Sequence, residues 1–227
     1  MATKTDMAPN TEIDNVLSQT EMGEWIAKNK TMVVVLLVVI IGGIFAYGGY
    51  SSMANKKAQE HAASIYTFQE GPYTQLIDKK IKPAEFVQKY LALEASVSGF
   101  EGLAPVLIKA AGHLNTQGAT AEVIQILEPG LKSFKTPILS NIISLHLAAA
   151  YEDNKEFTKA IEVLENLNGS SLKLMEDKLY LDLGRLYLSA GNKEKAKVNL
   201  QYLVDNGKDA EFMKIARLYL EDIEQGK

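Results

Sequence analysis

The feature that most constrains this chain is a long stretch without charge near its N-terminus. No Asp, Glu, Lys or Arg occurs in the 25 residues between Lys30 and Lys56. Within it, the 19 residues from Met32 to Tyr50 read MVVVLLVVIIGGIFAYGGY. As a helix this segment is about 28 Å long, close to the thickness of the hydrocarbon layer of a bilayer. A lone segment in lipid satisfies its backbone polar groups only as a helix, so the sequence predicts one transmembrane helix.

The flanks of this stretch favour an uncleaved anchor. Trp25 precedes it and Tyr47 and Tyr50 close it, as aromatic residues do at membrane interfaces. The tail before it carries five acidic residues and three lysines, whereas a secretory signal begins with a short basic segment. A cleaved signal is the alternative, because residues 52–54 (Ser-Met-Ala) offer a peptidase small side chains. Two lysines flank each side, so charge alone leaves the orientation open.

Two small residues within the apolar stretch predict a packing site for another helix. Gly42 and Ala46 are four residues apart, which is the small-xxx-small spacing that lets two membrane helices approach closely. The alternative interpretation is that glycine is simply frequent in membrane helices.

The absence of cysteine excludes several kinds of site. The chain has no disulfide framework, no cysteine-based zinc site, no thiol nucleophile and no lipid-modified cysteine. The net charge is -4, and no run of five or more basic residues occurs, so nucleic acid is not an expected partner.

An internal repeat governs the second half of the chain. Its two clearest copies are offset by 36 residues. The matching positions are Leu147, Ala148, Tyr151, Ala160, Leu164 and Leu167 in one copy and Leu183, Gly184, Tyr187, Ala196, Leu200 and Leu203 in the next. A weaker copy lies 37 residues upstream, where the string IQILE ending at Glu128 matches IEVLE ending at Glu165. Glu211 to Ile223 is predicted to be a closing helix without a second helix after it.

The repeat resembles the tetratricopeptide repeat, which has Leu-Gly-x-x-Tyr on its first helix, Gly in the turn and Ala-x-x-x-Phe on its second. Leu183, Gly184, Tyr187, Gly191 and Ala196 match that pattern, and Leu200 replaces the Phe. The predicted fold is therefore all-α: a single N-terminal transmembrane helix followed by a solenoid of tetratricopeptide-repeat-like helical hairpins.

The predicted organisation has four parts. Residues 1–30 form an N-terminal tail, residues 31–52 the membrane helix, residues 53–98 a degenerate first hairpin, and residues 99–225 the repeat domain. In the degenerate hairpin, Gly71-Pro72 and the segment 79–83 are predicted to separate a helix over 56–70 from a helix over 83–97, and Pro83 suits a helix start.

The order of these features resembles the YfgM-like proteins, ancillary subunits of the bacterial SecYEG translocon. The resemblance rests on Trp25 and the Lys28-Asn29-Lys30 approach to a glycine-containing span, the Ala62-Ala63-Ser64-x-Tyr66 stretch, and repeats that end in Gly191-Asn192-Lys193-x-Lys195-Ala196. It implies a single-pass protein of the inner membrane with a cytoplasmic N-terminus and periplasmic repeats. The implied partners are the translocon, periplasmic folding factors and unfolded chains emerging into the periplasm, toward which the protein has a chaperone-like role. The tail from Thr5 to Thr20 is longer than this architecture requires and is assigned no role.

The sequence contains no recognisable catalytic or cofactor-binding motif. His61, His113 and His146 lack metal-ligand spacing, and no nucleotide-binding glycine loop occurs. The acid pairs Glu152-Asp153 and Glu221-Asp222 are neighbours in sequence and do not face each other on a helix. A non-enzymatic protein without cofactor, metal or small-molecule substrate is expected, with membrane lipid and proteins as its partners.

The expected binding surface is the groove that the first helices of such repeats line. Carrying that pattern over predicts a largely apolar groove formed by Ile108, Ile142, Leu145, Leu181, Arg185 and Leu188. The alternative is that some of these residues face the core. A clamp for a terminal carboxylate needs several basic and amide side chains, and only Arg185 is present, so an apolar segment or an amphipathic helix is the favoured ligand. A scaffold that faces the cytoplasm through the same repeats is the alternative function.

Overall fold

The computed structural model of the protein describes residues 20–169 and 175–225. The chain divides into two compact units, Met1–Lys57 and Ala58–Lys227, which are described in turn. Helices joined by short turns account for the described parts of both units, and no strand occurs among the described residues. The predicted all-helical class is therefore confirmed. The tail before Thr20 lies outside the described residues.

The first unit contains the apolar helix. Helix α1 spans Glu21–Lys28, and the Thr20 side chain caps it by accepting a hydrogen bond from the backbone N–H of Gly23 at 3.2 Å. Helix α2 begins at Lys30 and continues to Phe68 in the second unit, 39 residues in all. From Met32 to Tyr50 every large apolar side chain except Val33 is 48–76% exposed. Among the described residues this is the one helix long and apolar enough to cross a membrane, a property that anchors share with signal sequences.

The predicted break at Gly71-Pro72 is wrong, because the helix widens there and continues. A π-helical turn spans Gln69–Tyr73, followed by helix α3, Thr74–Ile77. The backbone N–H of Thr74 reaches the carbonyl of Gln69, and the Thr74 hydroxyl donates to the same oxygen at 2.9 Å. A wider turn accommodates a proline, which has no N–H to donate and whose ring crowds a regular α-helix. The other predicted break, over 79–83, is present: the helix ends after α3, and Lys79 takes a left-handed φ of 57°.

Helix α4, Pro83–Val97, packs against the part of α2 in the second unit through aromatic rings, and Pro83 begins it as predicted. The ring centroids of Phe68 on α2 lie 5.5 Å from Phe86 and 6.2 Å from Tyr90 on α4. His61 meets Phe100 edge-to-face at 5.3 Å. This aromatic contact is how the first, irregular helix pair buries its apolar faces.

Three helical hairpins follow, each helix packed on the next along the chain. Hairpin 1 consists of α5 and α6, hairpin 2 of α7 and α8, and hairpin 3 of α9 and α10. Their bounds are Ala104–Thr116, Thr120–Ser133, Pro137–Asp153, Phe157–Asn168, Glu176–Ser189 and Lys193–Asn206 in that order. The last helix, α11, spans Ala210–Glu224 and has no second helix after it in the described chain. The hairpin stack and closing helix agree with the predicted tetratricopeptide-repeat-like architecture.

The repeated apolar positions form the core, as the repeat requires. All six matching positions are buried in both of the clearer copies: Leu147 and Leu183, Ala148 and Gly184, Tyr151 and Tyr187, Ala160 and Ala196, Leu164 and Leu200, and Leu167 and Leu203. The first helix can approach the second because its central residue is small: a Cβ placed on Gly184 would lie 2.5 Å from two carbons of Leu200. The turns within hairpins 1 and 3 use Gly118 and Gly191, with φ of 72° and 78°.

Candidate functional site

The site lies on the first helices of the hairpins, α5, α7 and α9, whose sequence repeats present successive residues on one face. Ile108 on α5, Ile142 and Leu145 on α7 and Leu188 on α9 are half-buried, which is the exposure expected of a groove floor. Leu145 and Leu188 also pack against the buried apolar core that the hairpins share. The structure thus leaves part of each of these four side chains accessible.

Leu181 does not contribute a surface. It is only 6% exposed and belongs to a second apolar cluster with Leu200, Leu203, Ala216 and Leu220. The closing helix α11 supplies Ala216 and Leu220 to that cluster, and α10 supplies Leu200 and Leu203. For this residue the alternative interpretation, a place in the core, describes the structure.

A series of ion pairs links α7 to α9, two of the helices that carry the predicted groove residues. Arg185 donates through both terminal nitrogens to the carboxylate of Glu152, at 2.7 and 3.0 Å, and lies 3.4 Å from Asp182. Lys178 pairs with Asp182 one turn earlier. The hydrogen bonds to Glu152 raise the pKa of Arg185 above its already high value. The predicted groove is therefore apolar toward hairpin 1 and charged toward hairpin 3.

The sequence analysis named Arg185 but missed its partners Glu152, Asp182 and Lys178, although part of their spacing carried a signal. Lys178, Asp182 and Arg185 are four and three residues apart, which places them on one helix face. Only the contact with Glu152 requires knowledge of how α7 and α9 pack. Because Arg185 is engaged by two carboxylates, it is a poor partner for the terminal carboxylate of a peptide.

His61 packs against Phe100, and the other two histidines occupy different environments. His146 is exposed on α7, and partial desolvation together with the nearby charge of Lys178 lowers its pKa. His113 Nε2 lies 2.8 Å from the side-chain nitrogen of Gln117 on the same helix. In the described residues no three metal-binding side chains come together.

A surface cleft of about 500 Å³ lies between the starts of α9 and α11. Its acidic wall is already engaged, since one carboxylate oxygen of Asp177 accepts the backbone N–H groups of Lys208 and Asp209, both at 2.6 Å. Asp177 thereby fixes the loop that leads into α11. This contact positions the closing helix.

The small residues of the apolar helix stand open. Gly42 and Ala46 are exposed, and a Cβ added to Gly42 would meet no atom within 4 Å. Helix packing at these two residues stays a prediction.

Comparison with known proteins places the chain in one family. The tetratricopeptide repeat-like domain family matches residues 23–183, which is more than half of the chain and takes in the apolar helix as well as the first hairpins. The comparison with curated proteins found no match, and neither did the comparison with solved structures. Repeat domains of this kind bind other proteins. On the family match, supported by the hairpin stack and its repeated core positions, the chain belongs to the tetratricopeptide repeat-like domain family.

Proposed function

We propose that the protein is a membrane-anchored, non-catalytic protein-interaction module that acts beside the SecYEG translocon. The observation that carries the anchor is the apolar surface from Met32 to Tyr50, whose large side chains are exposed along a whole helix. Surface of this extent is stable in lipid and unfavourable in water. The helix that carries this surface is followed in the chain by repeats whose family consists of protein-binding domains.

The finer assignment comes from the resemblance to YfgM-like proteins. In this proposal residues 1–30 are a cytoplasmic tail, residues 31–52 cross the inner membrane, residues 53–98 link the span to the repeats, and residues 99–225 form the periplasmic repeat domain. The partners are the translocon, periplasmic folding factors and chains that emerge unfolded into the periplasm. The protein holds such chains transiently, in the manner of a chaperone.

The mechanism is local concentration. An anchor beside the translocon exit makes contact with an emerging chain effectively intramolecular, so weak contacts suffice. The half-buried side chains of Ile108, Ile142 and Leu145 offer an apolar segment a place to bury its own side chains. The ion pairs of Arg185 with Glu152 and Asp182 border this apolar part, and Lys178, which also pairs with Asp182, brings the net charge of the group to zero.

The topology is tested by cysteine labelling, because the native chain supplies no thiol background. A Gly169→Cys chain carries its thiol at an exposed helix end, where an added Cβ makes only ordinary contacts, the nearest at 3.6 Å. We expect a membrane-impermeant thiol reagent to label it once the outer membrane is permeable. The matched control is Met22→Cys, exposed on α1 before the apolar helix, which should be labelled only after the inner membrane is broken. The reverse pattern would establish the cytoplasm-facing scaffold.

The groove is tested by site-specific cross-linking to chains in transit. The double substitution Ile108→Glu and Ile142→Glu places two carboxylates on the apolar part, and we expect it to abolish cross-links while the helical circular dichroism is unchanged. Val198→Glu is the control, since Val198 is 70% exposed on α10, a second helix, away from the predicted groove. Normal cross-linking by the folded double variant would remove the groove from the mechanism.

A further inference from the structure

The closing helix α11 repeats the core-forming sequence of α9 but leaves two of its apolar residues uncovered. The segment IARLYL from Ile215 matches LGRLYL from Leu183, 32 residues earlier. Leu183 and Leu186 are 2% and 1% exposed, whereas their counterparts Ile215 and Leu218 are 38% and 54% exposed. Ala216 and Leu220, on the other side of α11, are buried against α10. No described helix covers Ile215 and Leu218.

The charges around this pair distinguish the two orientations in which a second copy of the helix could lie on it. Lys214 and Arg217 are exposed in its middle, and Glu221 and Asp222 are exposed one turn further on. Two copies of α11 laid parallel would bring like charges together. If the two copies lie antiparallel and the contact is centred between Ile215 and Leu218, Lys214 of each copy lies beside the acidic turn of the other. Because the pair is two-fold symmetric, this contact between opposite charges occurs twice.

From this we infer that α11 is a docking surface for a second copy of the chain, which joins in an antiparallel, two-fold symmetric pair. Ile215 of one copy then packs on Leu218 of the other, and the Lys214 side chains pair with Glu221. Glu211, the remaining charge at the start of the helix, meets the acidic turn of the partner and limits the affinity. With two apolar residues from each copy, the contact is small and reversible. The inference is independent of which side of the membrane the repeats face.

The test uses the full chain in detergent micelles with one spin label, at Gln225→Cys on the exposed end of α11. The helix rise places the two labelled backbones roughly 25 to 30 Å apart in the antiparallel pair, and about 10 Å apart in a parallel one. We expect pulsed electron paramagnetic resonance to show the longer distance, with an amplitude that rises with protein concentration. Leu218→Asp should weaken dimerisation at least about tenfold and remove that distance. Val198→Asp, a matched change at an exposed apolar residue of α10, should leave it unchanged.

Charge exchange provides a second, independent readout that does not touch the apolar pair. Lys214→Glu alone and Glu221→Lys alone should each weaken the contact, because each places like charges together in a pair of identical chains. An equimolar mixture of the two variants restores opposite charges and should restore the distance. Absence of the longer distance in the otherwise native chain, its persistence in Leu218→Asp, or failure of the mixture to recover it would each overturn the inference. A short distance would indicate parallel helices. A chain that stays monomeric, as expected if α11 binds a different protein, would show no distance between labels.

Discussion

The hydroxyl of Tyr187 donates a hydrogen bond to the carboxylate of Glu165 and so joins the first helix of hairpin 3 to the second helix of hairpin 2. Lys195 lies with its Nζ 5.0 Å from the centroid of the same ring and 3.1 Å from its hydroxyl. Burial, and then the bond to Glu165, hold the pKa of Tyr187 above its usual value, so the hydroxyl remains a donor. One side chain thus connects three helices.

The same relationship occurs one hairpin earlier. Tyr151 donates to Glu128 on α6, and Lys159 lies 5.3 Å from the Tyr151 ring centroid. The two glutamates are the residues that end the matching strings IQILE and IEVLE, so the repeat in sequence is also a repeat of contacts. At the junction with α11 the position of Glu165 is taken by Gln201, which donates to Asp205 on its own helix.

We expect Tyr187→Phe to lower the free energy of unfolding by about 1 kcal/mol, because the substitution removes the hydrogen bond and keeps the buried ring. Glu165 is exposed and regains water, which keeps the loss moderate. Urea denaturation followed by circular dichroism measures the change. Tyr219→Phe is the control, since in the repeat alignment the position of Glu165 is held by Gln201 at the junction with Tyr219. We expect the stability of this variant to match that of the native protein. Equal stability of both variants would show that the bond contributes nothing.

The turn of hairpin 2 holds a lysine where its neighbours hold glycine. Lys155 has a φ of 61°, close to the values of Gly118 and Gly191 at the equivalent positions. A side chain in this region costs about 1 kcal/mol, and the greater chain entropy of glycine offsets part of the gain, so Lys155→Gly should stabilise the protein by roughly a few tenths of a kcal/mol. The thermal midpoint should rise accordingly. The reciprocal change, Gly191→Ala, has open space for its Cβ and should lower the midpoint through the backbone alone.

The close approach at Gly184 predicts a packing defect when it is enlarged. An alanine Cβ would stand 2.5 Å from carbons of Leu200, which is itself fully buried. Gly184→Ala should therefore destabilise the protein by about 1–3 kcal/mol despite the better helix propensity of alanine. Combining it with Leu200→Val should recover part of the loss. Gly112→Ala, on an open helix face, should instead be neutral or stabilising.

A buried carboxyl group predicts a dependence of stability on pH. Glu94 on α4 is buried and accepts a hydrogen bond from the hydroxyl of Ser133 at 2.8 Å. Burial raises its pKa, and the bond from Ser133 only partly opposes this. A carboxyl with a higher pKa in the folded state binds more protons there. The stabilisation that Glu94 contributes is then fully present below the ordinary glutamate pKa, and it is lost as the pH rises through the raised pKa of the folded state.

Urea denaturation between pH 4 and pH 8 measures this contribution. Glu94→Gln keeps an acceptor for Ser133 and removes the titration, so we expect its stability to decline less over that range than the native protein's. Glu85→Gln, an exposed position on the same helix, should retain the native slope. Parallel declines in all three proteins would assign the slope to other groups.

The repeat made the fold predictable, and the departures from it mark what a single sequence leaves open. The offset of 36 residues located the buried pairs Leu183 with Leu147 and Tyr187 with Tyr151, because stacked hairpins impose the same burial on each copy. The sequence predicts a helix end at Gly71-Pro72 because a π-helical turn leaves no periodic signal. It places Leu181 in the groove because the repeat spacing does not reveal the tertiary contacts with α10 and α11 that bury this residue.

The bond between tyrosine and glutamate also sets an order in which the domain can open. Two junctions have it, whereas α11 is attached by the apolar cluster around Ala216 and Leu220, the ion pair of Glu224 with Lys197 and the backbone contacts of Asp177. In a stack whose elements touch mainly their neighbours, the least strongly attached end separates first while the rest stays folded. Amide hydrogens of α11 should therefore exchange before those of α7 and α9. The domain would then lose its structure from the C-terminal end, one helix at a time.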